Sequence, residues 1–224
     1  GFADESGRDV QPTEHAALQQ LATAGLLCND ARLQHHDDDT WTVVGDPTEG
    51  ALVTLARTAG LDQLELPPDL PRVDEVPFES ENRFMATLHH DHHGHAFVFL
   101  KGAPERVLDM CGMTGDTHWP ERIDRAAAEG ERVLALARAD GDPDTDRIDL
   151  DALPPFELLG MVGLLDPPRT EAVEAVAECQ AAGITVKMIT GDHGVTAAAI
   201  GRELGLQSDA ALTGEAIEAM DDEA

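Results

Sequence analysis

Only two of the 224 residues are lysines, Lys101 and Lys187, and each belongs to a short block suited to holding an anion. Lys101 opens Lys101-Gly102-Ala103-Pro104-Glu105. This places an ammonium at a strand end, a glycine that lets backbone come close, and a proline that starts a helix. Lys187 precedes Met188-Ile189-Thr190-Gly191-Asp192-His193, where an apolar strand ends in a hydroxyl, glycine turns the chain and a helix begins. Free N–H groups at such a helix start, with the hydroxyl and N–H of Thr190, suit a phosphoryl group. Three further side chains have matching chemistry: Phe78 offers a face on which a base can stack, Glu49 an acceptor and Arg132 a cation. Each also has an ordinary structural reading. Phe78 would be a core residue, Glu49 would close a capping box, Arg132 would be an exposed strand residue, and Asp192 would cap a helix.

The elements that must position these residues follow from hydrophobic period and punctuation. Leu18, Leu21, Ala22 and Leu26 predict a helix over 13–28 with Thr13 as N-cap. Thr40 to Val44 reads as a strand. Asp46-Pro47-Thr48-Glu49 starts a helix that runs to about Ala59, and residues 60–71 form a surface connection. Strands are predicted at 72–78, 83–89, 96–101, 132–137 and 156–165, with a hairpin loop at 90–95. Helices are predicted at 104–111 and 120–129. After the stiff break Asp166-Pro167-Pro168-Arg169, a helix (170–182), a continuous apolar strand (184–190) and a helix (194–204) suggest a parallel doubly wound unit. This places a boundary at 165/166. A single strand without sheet neighbours predicts that 166–224 is poorly ordered or pairs with another copy.

Composition narrows the function classes. With 44 Asp and Glu against 15 Lys and Arg, the net charge is −29, which argues against nucleic acid or an anionic membrane surface as partner. Any phosphate site must gather positive charge inside this negative field. Concentrated salt would ease the conflict, since screening shortens to ~3 Å at 1 M, and the composition resembles that of halophile proteins. No apolar run approaches the ~20 residues that span a bilayer. Gly1 reads as a cut end rather than a natural start. Cys28, Cys111 and Cys179 lack metal-like spacing and read as reduced cytoplasmic thiols.

Taken in order, six blocks resemble the cytoplasmic part of P-type cation-transporting ATPases. They are Gly45-Asp46-Pro47-Thr48-Glu49-Gly50-Ala51-Leu52, Pro77-Phe78…Met85, Lys101-Gly102-Ala103-Pro104-Glu105, Arg132-Val133-Leu134-Ala135-Leu136-Ala137, Asp166-Pro167-Pro168-Arg169 and Met188-Ile189-Thr190-Gly191-Asp192-His193. The resemblance implies an α/β chain. Residues 1–165 would be an α+β nucleotide-binding domain with an antiparallel sheet flanked by helices, and 166–224 part of a haloacid-dehalogenase-like phosphorylation domain. By that similarity Phe78 would stack on the adenine of ATP and Glu49 would meet the base edge. Lys101 would line the pocket floor, Gly102 would let the nucleotide approach, and Arg132 would face the phosphates. Asp166 and Arg169 would form the hinge, and Thr190, Gly191 and Asp192 would hold the phosphoryl group. Such a part would work at the cytoplasmic face of the cell membrane, joined to the remaining phosphorylation, actuator and transmembrane domains.

The departures from the pattern also count. The family's basic pair is reduced to Arg83 in Asn82-Arg83. The phosphoacceptor block Asp-Lys-Thr-Gly-Thr and the Gly-Asp-Gly-Val-Asn-Asp block that would hold Mg2+ do not occur in this sequence. The expectation is therefore a part that binds ATP weakly but cannot complete catalysis alone, with the main Mg2+ site elsewhere. The branch resembled is that of calcium or sodium–potassium pumps, with a leaning to calcium. Two alternatives come from other classes. A soluble haloacid-dehalogenase phosphatase would share the Thr190 block. A metal-binding module would use His89, His90, His92, His93 and His95.

Overall fold

Side chains alternate across a strand, so residues 84–90 and 96–102 sort onto two faces, and the sheet built from them supports a core on each. A computed structural model describes residues 2–3, 6–61, 70–165, 168–190, 194–206 and 212. In chain order the elements are β1 (Phe2–Ala3), β2 (Asp9–Val10), α1 (Ala16–Leu27), β3 (Arg32–His35), β4 (Trp41–Val44), α2 (Pro47–Thr58), β5 (Arg72–Val76), β6 (Phe84–His90) and β7 (Ala96–Gly102). They continue with α3 (Pro104–Met110), α4 (His118–Ala128), β8 (Arg132–Gly141), β9 (Glu157–Leu164), α5 (Thr170–Ala181) and α6 (Gly194–Glu203). The chain divides into two compact units, Gly1–Gly115 with Leu134–Val162, and Asp116–Val133 with Gly163–Ala224.

In the first unit the main sheet runs β5-β6-β7-β8-β9, with β5 through β8 antiparallel. One face carries Phe84, Ala86, Leu88, Val98, Leu100 and Ala137, packed with Val107 of α3 and with Phe156. The other carries Met85, Phe99 and Leu136 against Ala24 and Leu27 of α1 and Cys28 just after it. The reverse side of α1, through Ala22 and Leu26, packs on Val53 and Ala56 of α2. The C-terminal half of α1, Ala22 to Leu27, is small and apolar on both sides and mostly buried, which lets it lie between the sheet and α2. Each fully buried Phe or Leu here contributes about 2–3 kcal/mol.

α2 is set by its start. Oδ1 of Asp46 accepts the N–H groups of Thr48 (2.8 Å) and Glu49 (3.2 Å), and Pro47 occupies the first helical position. Such a cap is worth about 1 kcal/mol. It also fixes where Glu49 stands, in the first turn of the helix. In the second unit α4 packs with α6, and Nε2 of Gln180 in α5 donates to the carbonyl of Gly205 at 2.9 Å, just past the end of α6.

Several expectations need correction. Thr13 lies in a 3-10 turn, Pro12–Glu14, and the residue before α1 is His15, without a side-chain cap. β3, which carries only one hydrophobic residue in Arg32-Leu33-Gln34-His35, was not anticipated; its register with β4 makes it a strand. β5 stops at Val76, so Phe78 lies beyond it, in the connection to β6. Residues 184–190 form no strand, and Ile189 is 98 % exposed and Ile184 56 %. A lone apolar run cannot make a ladder without neighbours to pair with, which the doubly wound reading had assumed. Most of the predicted 60–71 connection, at 62–69, lies outside the described residues.

Candidate functional site

Lys101 stands opposite Met85 and Leu136 in the ladder, which turns it toward the α1 face of the sheet. Its ammonium makes an ion pair with Oε1 of Glu49. Both side chains are largely enclosed, 7 % exposed for Lys101 and 17 % for Glu49. The other carboxylate oxygen, Oε2, accepts the N–H of Asp30 at 3.2 Å. Glu49 therefore directs its carboxylate across to the sheet and the turn after α1. The capping-box reading does not hold.

That turn is itself tightly held. Nδ2 of Asn29 donates to the carbonyls of Glu49 (2.9 Å) and Gly25 (2.8 Å), and its Oδ1 accepts the N–H of Ala31 at 2.8 Å. From outside, Nη2 of Arg72 donates to the carbonyls of Leu27 (3.1 Å) and Asn29. Nη1 of Arg72 reaches Asp30 and Glu75, each at 2.6 Å. A cation on the last carbonyls of a helix also suits the helix dipole. Burial works against the Arg72 charge, but the hydrogen bonds it donates to Asp30 and Glu75 outweigh it, and its pKa is raised. Beside Lys101, the buried Cys28 donates its thiol to the carbonyl of Met85 at 3.5 Å. Burial pushes that thiol up to about 11, against the pull of Lys101, so it stays protonated and unreactive at neutral pH.

Phe78 is 58 % exposed in the connection between β5 and β6. The same connection ends at Arg83, which adopts a left-handed φ of 58° and donates from Nη1 to Oε1 of Glu105 at 2.8 Å. β6 starts at Phe84 opposite Gly102, the last residue of β7. One end of the sheet therefore gathers Phe78, Arg83, Lys101 and Gly102, with Glu49 joined through its ion pair. Gly102 has a structural reason of its own. A Cβ there would sit 2.5 Å from the Arg83 carbonyl oxygen and 2.8 Å from Cα of Phe84. A separate groove of about 280 Å³, lined by residues including Leu70, Phe97 and Phe99, holds none of these side chains.

Arg132, Arg169 and Thr190 belong to the second unit and are exposed; Arg132 opens β8 and Arg169 precedes α5. Asp166, Gly191 and Asp192 lie outside the described residues. The histidine loop is organised as a turn. Asp91 accepts the N–H groups of His93 (2.8 Å) and His95 (2.7 Å) and Nδ1 of His95 (2.7 Å). Desolvation acts to raise the Asp91 pKa, but these hydrogen bonds overcome it and hold it down at about 2. Nε2 of His90 points instead to the carbonyl of Thr145. Among the described residues no three ligating side chains come together as a metal site.

Comparison with known proteins matches residues 17–171 to the family described as P-type ATPase, cytoplasmic domain N. The chain belongs to the P-type ATPases. It is 44 % identical over 203 residues to the cation-transporting ATPase pma1 of Synechocystis, covering 86 % of this chain and 22 % of that protein. It is 42 % identical over 216 residues to the probable cation-transporting ATPase F of Mycobacterium tuberculosis, covering 92 % and 24 %. The human calcium-transporting ATPase type 2C member 1 is 38 % identical over 223 residues, covering 92 % and 22 %. The chain thus spans less than a quarter of the length of these P-type ATPases. Among the described residues no helix is long and apolar enough to cross a membrane.

Three residues that hold this cluster were not among those expected from the sequence: Asn29, Asp30 and Arg72. The only signal was local. Asn29-Asp30 ends a helix pattern, and Arg72 opens a strand after a proline-rich stretch.

Proposed function

We propose that residues 1–165 are an ATP-binding domain and 166–224 part of a haloacid-dehalogenase-like phosphorylation domain. In this reading they belong to a pump that couples ATP hydrolysis, through an aspartyl phosphate, to cation transport. Phe78 stacks on the adenine and Glu49 accepts from its amino edge, while Lys101 fixes Glu49 and contributes positive charge. Gly102 keeps the backbone close beneath the nucleotide, and Arg83 and Arg132 attract phosphate. In the parent protein Asp166 and Arg169 act as hinge, and Thr190, Gly191 and Asp192 hold the phosphoryl group. The phosphoacceptor aspartate, the main Mg2+ site and the actuator and transmembrane domains are supplied by the rest of the pump, with this part at the cytoplasmic face. Mg2+ would neutralise charge on the transferring phosphoryl group. Between the calcium and sodium–potassium branches, the form of the Thr190 block and the name of the human relative favour calcium as the transported ion. The acidic surface suits a cytoplasm of high salt.

One observation carries the reading. An aromatic ring 58 % exposed stands at the sheet end that also holds an enclosed Lys101–Glu49 pair. That combination offers a base a stacking face and a fixed acceptor, and phosphoryl transfer needs positioning and charge above all. Affinity is weak, because one stack and a few charges must also offset the entropy of association. ATP titration followed by amide chemical shifts tests this. Saturable shifts are expected around residues 49, 78 and 101–102. Phe78→Ala is expected to weaken binding at least about fivefold, the low end for loss of one base stack. A titration with no Phe78-dependent shift overturns the reading.

A further inference from the structure

The ladder between β5 and β6 slips by one residue between Arg72 and Asp74. Asp74 pairs with Leu88 and Val76 with Ala86, on the face that packs against α3. The N–H of Ile148, on the same side, donates to Asp74 at 2.8 Å. With regular alternation Arg72 would join them. Because of the slip it instead pairs with His89, on the α1 face, and reaches the carbonyls of Leu27 and Asn29. A one-residue slip exchanges the faces of a strand, and such bulges re-aim single side chains. Here the re-aimed side chain is the guanidinium that grips the turn after α1. That turn in turn holds Glu49 at two points, its carbonyl through Asn29 and its carboxylate through the Asp30 N–H.

We propose that Arg72 is a positioning residue for the nucleotide pocket. By locking residues 27–30 it sets the carboxylate of Glu49 to accept from the exocyclic amino group of a 6-aminopurine. It touches no nucleotide itself. The proposal rests on the ATP reading above. It adds that base selectivity depends on a residue from a bulged edge strand, remote in sequence from Glu49. An arginine is required because the guanidinium spans two carbonyls and two carboxylates with a planar fork, which a single ammonium cannot do.

The test compares ATP with purine riboside 5′-triphosphate, which lacks the 6-amino group, in the full 224-residue chain. Affinities come from amide-shift titration of the wild type, Arg72→Lys and Arg72→Ala. The wild type is expected to prefer ATP. Arg72→Ala is expected to weaken ATP about fivefold, as for one lost directed hydrogen bond, while leaving the deamino nucleotide within about twofold. Arg72→Lys should act in the same direction and carries the test if the alanine variant does not fold. Exchange of the Asp30 amide should quicken in both. Equal loss for the two nucleotides would reduce Arg72 to a structural role and overturn the proposal. So would unchanged selectivity, or no wild-type preference for ATP. Absence of any saturable ATP binding by the wild type would instead remove the underlying ATP reading, and this proposal with it.

Discussion

The ion pair between Lys101 and Glu49 allows a sharp test, because its two partners face different penalties when separated. In Lys101→Met the Glu49 carboxylate keeps only the Asp30 N–H, at 3.2 Å, inside a site 17 % exposed. Breaking a buried pair costs about 3–5 kcal/mol, and this residual access to water favours the lower end, about 3 kcal/mol. In Glu49→Met the ammonium is left in a pocket 7 % exposed, beside the protonated Cys28 thiol, and the cost should reach about 4 kcal/mol. The double variant, with two apolar side chains of similar length, should fall within about 1 kcal/mol of wild type, since neither charge is then stranded. Against a typical total of 5–15 kcal/mol, either single change is severe. Urea denaturation of all four proteins at one fixed salt concentration gives the cycle. The coupling energy should be at least about 2 kcal/mol. Single variants each costing less than about 1 kcal/mol, or a double variant equal to the sum of the singles, would refute the claim that the pair is desolvated and mutually dependent.

Two other perturbations follow from geometry. Gly102→Ala drives a methyl into the Arg83 carbonyl and the Phe84 backbone, neither of which can swing aside, so a loss of about 2–3 kcal/mol is expected. It would be read as a fall of roughly 5–10 °C in Tm, and a fall under about 2 °C would show that the strands can separate at little cost. His89 is 2 % exposed; its Nδ1–H donates to the Leu70 carbonyl, which leaves Nε2 to accept from the Thr87 hydroxyl, both at 3.0 Å. Burial, helped by the charge on Arg72, lowers its pKa below the ordinary 6.5, so the folded protein holds it neutral. Its contribution is therefore full above about pH 6.5 and is lost as pH falls from there toward the folded value, because the unfolded chain takes up the proton first. Stability of the wild type should drop across that window, and His89→Gln should remove that part of the slope in pH-dependent urea melts.

The sequence made some of this structure legible because the information was local. Asp46-Pro47-Thr48-Glu49 signals a capped helix whatever the rest of the chain does, and α2 starts at Pro47. The run from 96 to 101 is apolar and rich in Phe and Val, enough to be read as a strand, and the polar loop at 90–95 between two such runs reads as a hairpin. What could not be read is what depends on partners far along the chain. Glu49 and Lys101 are 52 residues apart, and their meeting follows from the packing of α1 between α2 and the sheet. The strand expected at 184–190 failed for the complementary reason. Its residues favour a strand, but a strand exists only where others pair with it.

The two cations of the site also show why this chain keeps a lysine at 101 while using arginine almost everywhere else. Arg72 faces four oxygen acceptors spread over the turn after α1 and the β5 strand, two carbonyls and two carboxylates. A planar fork with several donors satisfies them together, and partial exposure lets the remaining donors meet water. Lys101 faces a different demand. Its head is enclosed, its charge partner is the single oxygen Oε1 of Glu49, and its ladder neighbours Met85 and Leu136, with the nearby Cys28 and Thr87, offer little further charge or space. A guanidinium placed there would bring additional N–H donors into an apolar wall with nothing to accept them, at a cost of about 1–3 kcal/mol for each group left unsatisfied. A compact ammonium on a flexible stem fits one carboxylate and needs fewer partners. Lysine at 101 is therefore set by the shape of the enclosure as much as by the charge it supplies, and the same argument does not extend to Lys187, which is exposed.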